Sequence, residues 1–187
     1  MKIKQIVSGN NIYGKAIITD GSGHTIFQYS QSEKGTIFPS NPSNGDNFYH
    51  TTDTEQYYYD SSRSKWLSNN KNTIIFGRST LSDVTGGYLG IADLYHTSTT
   101  GILLQKNGTI VSASIINENT VTRTIQARIN NSNTRYVDLS LSGQNSTIIN
   151  DSNLDFSVGE FLNIYISSGI IANMDRISVL IEFVWRH

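Results

Sequence analysis

Residues 177–186 read ISVLIEFVWR, and this stretch decides the fold class of the chain. Apolar side chains occupy every second position, while the positions between them are mostly polar. Because successive side chains of a β-strand point to opposite faces, this alternation predicts a strand with one buried face. Leu180 and Val184 interrupt the polar face, which predicts a second covered surface there, and a contact between subunits would supply it.

The same alternation recurs across residues 73–187 and predicts the core. Candidate turns at 117–119, 130–133 and 142–145 separate the alternating segments, and no window of ten or more residues has the spacing of an amphipathic helix. Short strands with a turn about every ten residues are typical of a jelly roll or a related β-sandwich. The predicted core residues are Ile125, Leu139, Leu162, Ile164, Val179, Ile181 and Phe183.

The composition excludes several classes of function. The 187 residues carry a net charge of −1 and only 16% charged residues, so no strong field attracts nucleic acid or an anionic membrane. The absence of cysteine excludes disulfides, thiolate metal sites and a cysteine nucleophile. Residues 1–7 lack the apolar core of a signal peptide, and no run reaches the length of a membrane span.

The chain divides into three parts by pattern. Residues 1–37 form an arm in which two strands, at 12–19 and 24–29, flank a glycine-rich turn. Residues 38–72 hold both prolines, several turn formers and a burst of aromatics, which is typical of short hairpins. The polar cluster that ends this module predicts a linker at 69–72. Residues 73–187 are the predicted jelly-roll head.

The middle part resembles a small β module of tailed-bacteriophage fibres and adhesins. In that module a Pro-x-x-Gly-Asp-x-Phe/Tyr turn and strand precede a Tyr-x-Tyr-Asp strand, a polar turn and a closing tryptophan. The resemblance covers about thirty residues. The matching positions are Pro42, Gly45, Asp46, Phe48, Tyr49, Tyr57, Tyr59, Asp60, Lys65 and Trp66.

Residues 73–187 carry a second resemblance. The segments 76–79, 101–110 and 154–165, together with the closing strand, look like C-terminal heads of phage fibres, which are similar to the trimeric tumour-necrosis-factor/C1q-like jelly roll. The usual turn in that pattern is Phe-x-x-Gly-Asp-x-Leu. Here Glu160 replaces the aspartate, and Gly159 supplies the backbone conformation that the turn needs.

These resemblances imply a non-enzymatic structural component of a phage virion, a trimeric fibre or decoration spike on the capsid or the tail. The arm would fasten to a capsid or tail protein, the hairpin module would form a collar, and the head would project from the particle surface. An internal reason also favours a homotrimer, because an arm and collar too small to be stable alone gain burial by association.

Adhesion to host surface polysaccharide is one expected role of such a spike. Tyrosine and tryptophan rings stack on sugars, and amides bind their hydroxyls, so Tyr58 and Trp66 are the candidate ligand-binding residues. Pure decoration of the particle is the competing role. A free carbohydrate-binding module or lectin is the alternative from another class.

No catalytic or metal constellation stands out, and no cofactor is expected. The four histidines lack metal-ligand spacing, which favours surface or packed positions. A glycan-cleaving spike is the enzyme alternative, with Asp53 and Glu55 as an acid pair on one side of an extended segment. Oxygen ligands at residues 150–155 allow a calcium site, although no loop template matches.

Overall fold

The computed structural model of the protein describes residues 2–4, 15–19, 22, 25–30, 33–78, 87–91, 96–167 and 176–187. These residues form strands and no helix, which confirms the all-β prediction. The strands are β1 (Lys2–Lys4), β2 (Lys15–Thr19), β3 (Thr25–Ser30), β4 (Glu33–Gly35), β5 (Asn47–His50), β6 (Glu55–Asp60), β7 (Lys65–Arg78), β8 (Gly87–Leu89), β9 (Ile102–Leu103), β10 (Gly108–Arg123), β11 (Ile125–Ile129), β12 (Tyr136–Asp138), β13 (Leu141–Ile149), β14 (Leu154–Phe156), β15 (Phe161–Ile166) and β16 (Ile177–Arg186).

The chain forms two compact units, Met1–Ser64 and Lys65–His187. The predicted linker at 69–72 is wrong, because these residues lie within β7. Lys71 and Asn72 pair with Val184 and Phe183 of β16. Strand β16 therefore supplies hydrogen-bond partners for the backbone of this segment. The polar side chains of the segment do not interrupt the sheet.

In the first unit, β2 lies between β1 and β3 in an antiparallel sheet. This arrangement confirms the predicted strands over residues 15–19 and 25–29, while residues 12–14 and 24 lie outside the described residues. Of the predicted glycine-rich turn, residues 20, 21 and 23 lie outside the described residues. Further along the unit, β5 pairs with β4 in parallel and with β6 in antiparallel fashion.

The Pro-x-x-Gly-Asp sequence forms the turn that leads into β5. Gly45 has a φ of 83°, a conformation that favours glycine. Its N–H donates to the carbonyl of Tyr59 at 2.8 Å, and the N–H of Tyr59 donates to the carbonyl of Asp46 at 2.9 Å. The carboxylate of Asp46 also accepts the N–H of Ser43 at 2.7 Å. The turn is thereby closed on itself and tied to β6.

The aspartate of the Tyr-x-Tyr-Asp sequence organises the turn after β6. One carboxylate oxygen of the buried Asp60 accepts the N–H and the hydroxyl of Ser62 and the N–H of Arg63. The other oxygen accepts Nη1 of Arg63 at 2.6 Å. Burial alone would raise the pKa of Asp60, but the hydrogen bonds from Ser62 and Arg63 outweigh it and lower the pKa.

The second unit has the strand topology of a jelly roll. One sheet has the order β13-β10-β16-β7, and the other has the order β12-β11-β15-β8. The antiparallel pairs are nested, since β7 pairs with β16, β8 with β15, β10 with β13 and β11 with β12. This nesting is that of a long hairpin folded into two facing sheets, one of the β-sandwich arrangements that the short strands predicted. The short strands β14 and β9 flank β10 and β15.

The inward faces of the two sheets share one hydrophobic core. Every predicted core residue lies in it and is at most 5% exposed, so the core prediction is confirmed. The unit has eight further large side chains that are fully buried. They are Phe76, Leu67, Leu89, Ile110, Ile129, Leu141, Phe156 and Ile166.

Two of the predicted turns are wrong. Residues 117–119 lie within β10, and residues 142–145 lie within β13. The register passes from Ile116 opposite Ser146 to Val121 opposite Gln144, so residues 117–120 lie opposite residue 145 alone. An irregularity of four residues against one absorbs the polar residues while both strands continue. The turn at 130–133 is confirmed, and Gly159 has the expected positive φ, 86°.

The second covered surface predicted for the last strand is only partly present. Val184 is 1% exposed, so the chain itself covers it and a subunit contact is not needed. Leu180 is half-buried and lies opposite Ile75 of β7, which is 58% exposed. The outward face of this sheet therefore keeps exposed apolar side chains near Leu180.

Candidate ligand-binding surface

Tyr58 lies on β6 of the first unit, opposite Asn47 of β5. It is half-buried, whereas the ring of Tyr57 is buried. Burial raises the pKa of the Tyr58 hydroxyl, and the negative charge of Asp60 adds to the effect. Of the two tyrosines, only Tyr58 keeps a surface that a ligand can reach.

Trp66 lies in the second unit, near the start of β7. Its side chain is half-buried, and the next residue, Leu67, is fully buried. The two residues predicted to bind a ligand thus belong to different units of the chain.

Aromatic side chains and a histidine form the small core of the first unit. The ring of His50 is 3% exposed and stacks on Phe38 with a centroid separation of 5.0 Å. Phe48 and Tyr57 also pack against Phe38. Nε2 of His50 lies 3.0 Å from the carbonyl oxygen of Thr36. His50 is therefore a packed residue, as predicted from its spacing.

Asp53 is bound to this cluster. Its Oδ2 lies 2.9 Å from Nδ1 of His50 and accepts the hydroxyl of Tyr57 at 3.0 Å. Burial, together with the hydrogen bond to Asp53, raises the pKa of Tyr57 far above its ordinary value. These contacts give Asp53 a structural partner on each side.

The proposed acid pair is wrong in its geometry. Asp53 lies in the turn between β5 and β6, and Glu55 begins β6. Thr54 separates them with a φ of 52°, so the three residues are not extended. The two carboxylates do not share one side of a strand, and the glycan-cleaving alternative loses its geometric basis.

The suggested calcium ligands at 150–155 are wrong as a set, because a lysine takes the central oxygens. Nζ of Lys65 donates to Asp155 at 2.7 Å and also binds the side-chain oxygen of Asn153. The hydroxyl of Thr109 donates to the same Asp155 oxygen. Burial opposes ionisation of Asp155, but these hydrogen bonds prevail and lower its pKa. A fixed ammonium group therefore occupies the position of a cation.

The outward face of the sheet β12-β11-β15-β8 presents a cluster that the sequence did not single out. The guanidinium carbon of Arg128 lies 3.7 Å from the ring centroid of Tyr165. The ring of Tyr88 lies 5.7 Å from that of Tyr165. All three side chains are half-buried. Cation and rings form one contiguous surface, which we call the Arg128 face.

Amide side chains hold the Arg128 face in place. Nε and Nη2 of Arg128 donate to Oε1 of Gln126 at 2.8 and 2.6 Å. Oδ1 of Asn131 accepts the hydroxyl of Tyr88 at 2.8 Å and Nη1 of Arg128 at 3.3 Å. The guanidinium plane is thus oriented before any ligand arrives.

A buried amide lies beside this arginine. Asn163 of β15 is directly opposite Arg128 of β11 and is fully buried. Its Nδ2 donates to the carbonyl of Thr97 at 3.2 Å, but its Oδ1 has no hydrogen-bond partner among the described residues. Leaving such an acceptor unsatisfied costs about 1–3 kcal/mol. The Arg128 face therefore borders a buried acceptor that no described residue satisfies.

The alternation of polar and apolar residues predicts part of the Arg128 face. It places Arg128 and Tyr165 on the polar sides of their strands, away from Ile129 and Ile164. It does not say which strands are neighbours. Tyr88 and Asn131 are 43 residues apart in the chain, and only the order of the strands brings them into contact.

Within the described part of the chain, we find no helix that is both long and apolar enough to cross a membrane. A comparison of the chain with protein families, with curated proteins and with solved structures found no match.

Proposed function

We propose that this chain is a non-enzymatic structural component of a tailed-phage virion, a trimeric fibre or decoration spike on the capsid or tail. The observation that carries the proposal is the turn chemistry of the hairpin module. Gly45 and Asp46 close one turn, and Asp60 organises the next. Each of these residues matches a position of the phage module and has a defined structural task, so the resemblance extends beyond composition.

The jelly-roll topology of the second unit is compatible with this function, since fibre heads of the kind it resembles are jelly rolls. Its turn at Glu160 supports the second resemblance in the same way. Glu160 accepts Nη1 and Nη2 of Arg135 and the N–H of Ser157. The ion pair with Arg135 lowers the pKa of Glu160. Glutamate thus stabilises the turn in which the family pattern has aspartate.

The N-terminal arm would be the attachment segment. Its strands β1, β2 and β3 form a sheet of their own, whereas β4 pairs with β5. A sheet of this size has little apolar surface to bury and gains stability by packing on a partner. In this proposal the partner is a capsid or tail protein, held through residues 1–37.

Self-association would use the outward face of the sheet β13-β10-β16-β7. A row of paired residues crosses the sheet there, from Ile148 through Ser114 and Leu180 to Ile75. Ile148 and Ile75 are 65% and 58% exposed. The row carries no charge, so burying it against a second copy incurs no cost for desolvating ions.

The oligomeric state tests this face. We expect native mass spectrometry of the full chain to give a trimer, and the double substitution Ile75→Glu, Ile148→Glu to give monomers, because each interface would bury two unpaired carboxylates. Leu103→Glu is the matched control, since Leu103 is equally exposed but lies on the other sheet. A wild-type chain that stays monomeric at micromolar concentrations would refute the trimer.

The virion location is tested on the particle itself. We expect antibodies or gold label against the head unit to decorate intact particles at a regular position, visible by electron microscopy. A label on the N-terminus should be hidden in the same particles, because the arm is docked. Purified particles without this chain, judged by mass spectrometry, would rule the proposal out.

A free lectin is the second candidate, and the Arg128 face favours it. An oriented cation among tyrosines and amides suits saccharide binding whether or not the chain is mounted on a particle. Binding of glycan by a chain that is absent from particles would support the lectin over the spike.

A further inference from the structure

We propose that the Arg128 face binds an acidic saccharide, with the sugar carboxylate held by the guanidinium of Arg128. This inference rests on the proposed function for its adhesive role and names the chemistry of the ligand. It also moves the binding site from Tyr58 and Trp66 to the outward face of one sheet of the jelly roll.

The hydrogen-bonding capacity of Arg128 is the first argument. A guanidinium has five N–H donors. The contacts with Gln126 use one on Nε and one on Nη2, and the contact with Asn131 uses one on Nη1. Each terminal nitrogen therefore keeps one N–H. Such a pair can engage both oxygens of a carboxylate.

The charge of Arg128 is the second argument. In the described part of the chain it forms no ion pair with a carboxylate. Asp138 is on the same face, opposite Gln126 rather than Arg128. Its Oδ1 already accepts the N–H and hydroxyl of Ser140. The positive charge on this face is thus available to an anionic ligand.

The unsatisfied amide is the third argument, and it is independent of the charge. Asn163 is fully buried next to Arg128, and its Oδ1 has no partner among the residues that the structure describes. Saccharides carry several hydroxyl donors around each ring. A small shift of the turn at 97–100, whose Thr97 carbonyl holds Nδ2 of Asn163, would admit one of them.

The tyrosines define the ligand class further. Tyr136 lies opposite Arg128 on one side, and Tyr165 and Tyr88 lie on the other. Adjacent strands are about 4.8 Å apart, so the four strands span about 14 Å. This width suits a short stretch of polysaccharide, and the half-buried rings offer it C–H contacts.

The test uses two trisaccharides that differ only at C6, an oligogalacturonide and the matching neutral oligogalactoside. Calorimetry on the purified full chain should show the acidic sugar binding at least about tenfold more tightly. We expect Arg128→Gln to remove this preference and Arg128→Lys to retain part of it, since lysine keeps the charge but not the planar pair of donors. Arg176→Gln, at an exposed ion pair with Glu118, is the control of equal charge change and should bind as the wild type.

Each alternative has its own outcome. Equal affinity for the two sugars, or no binding of the acidic one up to about 10 mM, overturns the inference. Loss of binding in Tyr58→Ala or Trp66→Ala, with Arg128→Gln unaffected, returns the site to the residues predicted from sequence. Thermal unfolding of each variant shows that it is folded. Binding is measured on the purified chain, so a chain that binds no acidic saccharide would not contradict the virion proposal. Likewise, a chain that is absent from particles would not contradict a measured affinity for the saccharide.

Discussion

Replacing Leu162 by alanine should lower the free energy of unfolding of the second unit by about 2–5 kcal/mol. Leu162 is 1% exposed and lies in the middle of the shared core on β15. The substitution removes buried methyl groups and leaves a cavity between two sheets whose backbones are fixed by their hydrogen bonds. Urea unfolding followed by the fluorescence of the tryptophans Trp66 and Trp185 measures the change.

Leu103→Ala is the matched control for this substitution. The residue type is the same, and Leu103 is on the strand that pairs with β15 beside Leu162. It is 64% exposed, so the expected change is within about 0.5 kcal/mol. Equal losses in the two variants would contradict the assignment of the core to the inward faces of the sheets.

Replacing Asp60 by alanine should destabilise the first unit locally by about 2–3 kcal/mol. The change removes the carboxylate that accepts the N–H groups of Ser62 and Arg63 and pairs with the guanidinium of Arg63. Faster amide hydrogen exchange at residues 45–64 of the full chain would report it. Glu33→Ala, at an exposed position of β4 in the same unit, should leave this exchange unchanged.

The effect of Asp60 should also depend on pH. Its pKa is lowered in the folded chain, so it contributes fully above the ordinary aspartate pKa and loses its contribution as the pH falls through the lowered value. Acidification should therefore lower the protection of these amides, measured relative to their intrinsic exchange rate at each pH, more in the wild type than in Asp60→Asn, which has no charge to lose. If amide protection fell equally with pH in the two proteins, Asp60 would not stabilise the turn through its charge.

Local patterns determined much of this molecule. Alternation along 177–186 predicted β16 and its buried face, because the pleat of a strand sends successive side chains to opposite sides. Gly45 and Gly159 predicted turns, because glycine readily adopts the positive φ that such turns need. Both residues have a positive φ in the structure. In each case the physical cause lies within a few neighbouring residues, so the local sequence is enough to predict the conformation.

The tertiary structure decided the rest. Residues 69–72 and 117–119 have the composition of turns, yet pairing with distant strands keeps them in β7 and β10. The Arg128 face depends on the same pairing, because Tyr88, Arg128 and Tyr165 come from three strands. The sequence by itself determined the alternating strands, the core residues and the glycine turns at Gly45 and Gly159. Which outward side chains meet was decided only by strand order and register, because these contacts join residues far apart in the chain and arise when the two sheets close around their core.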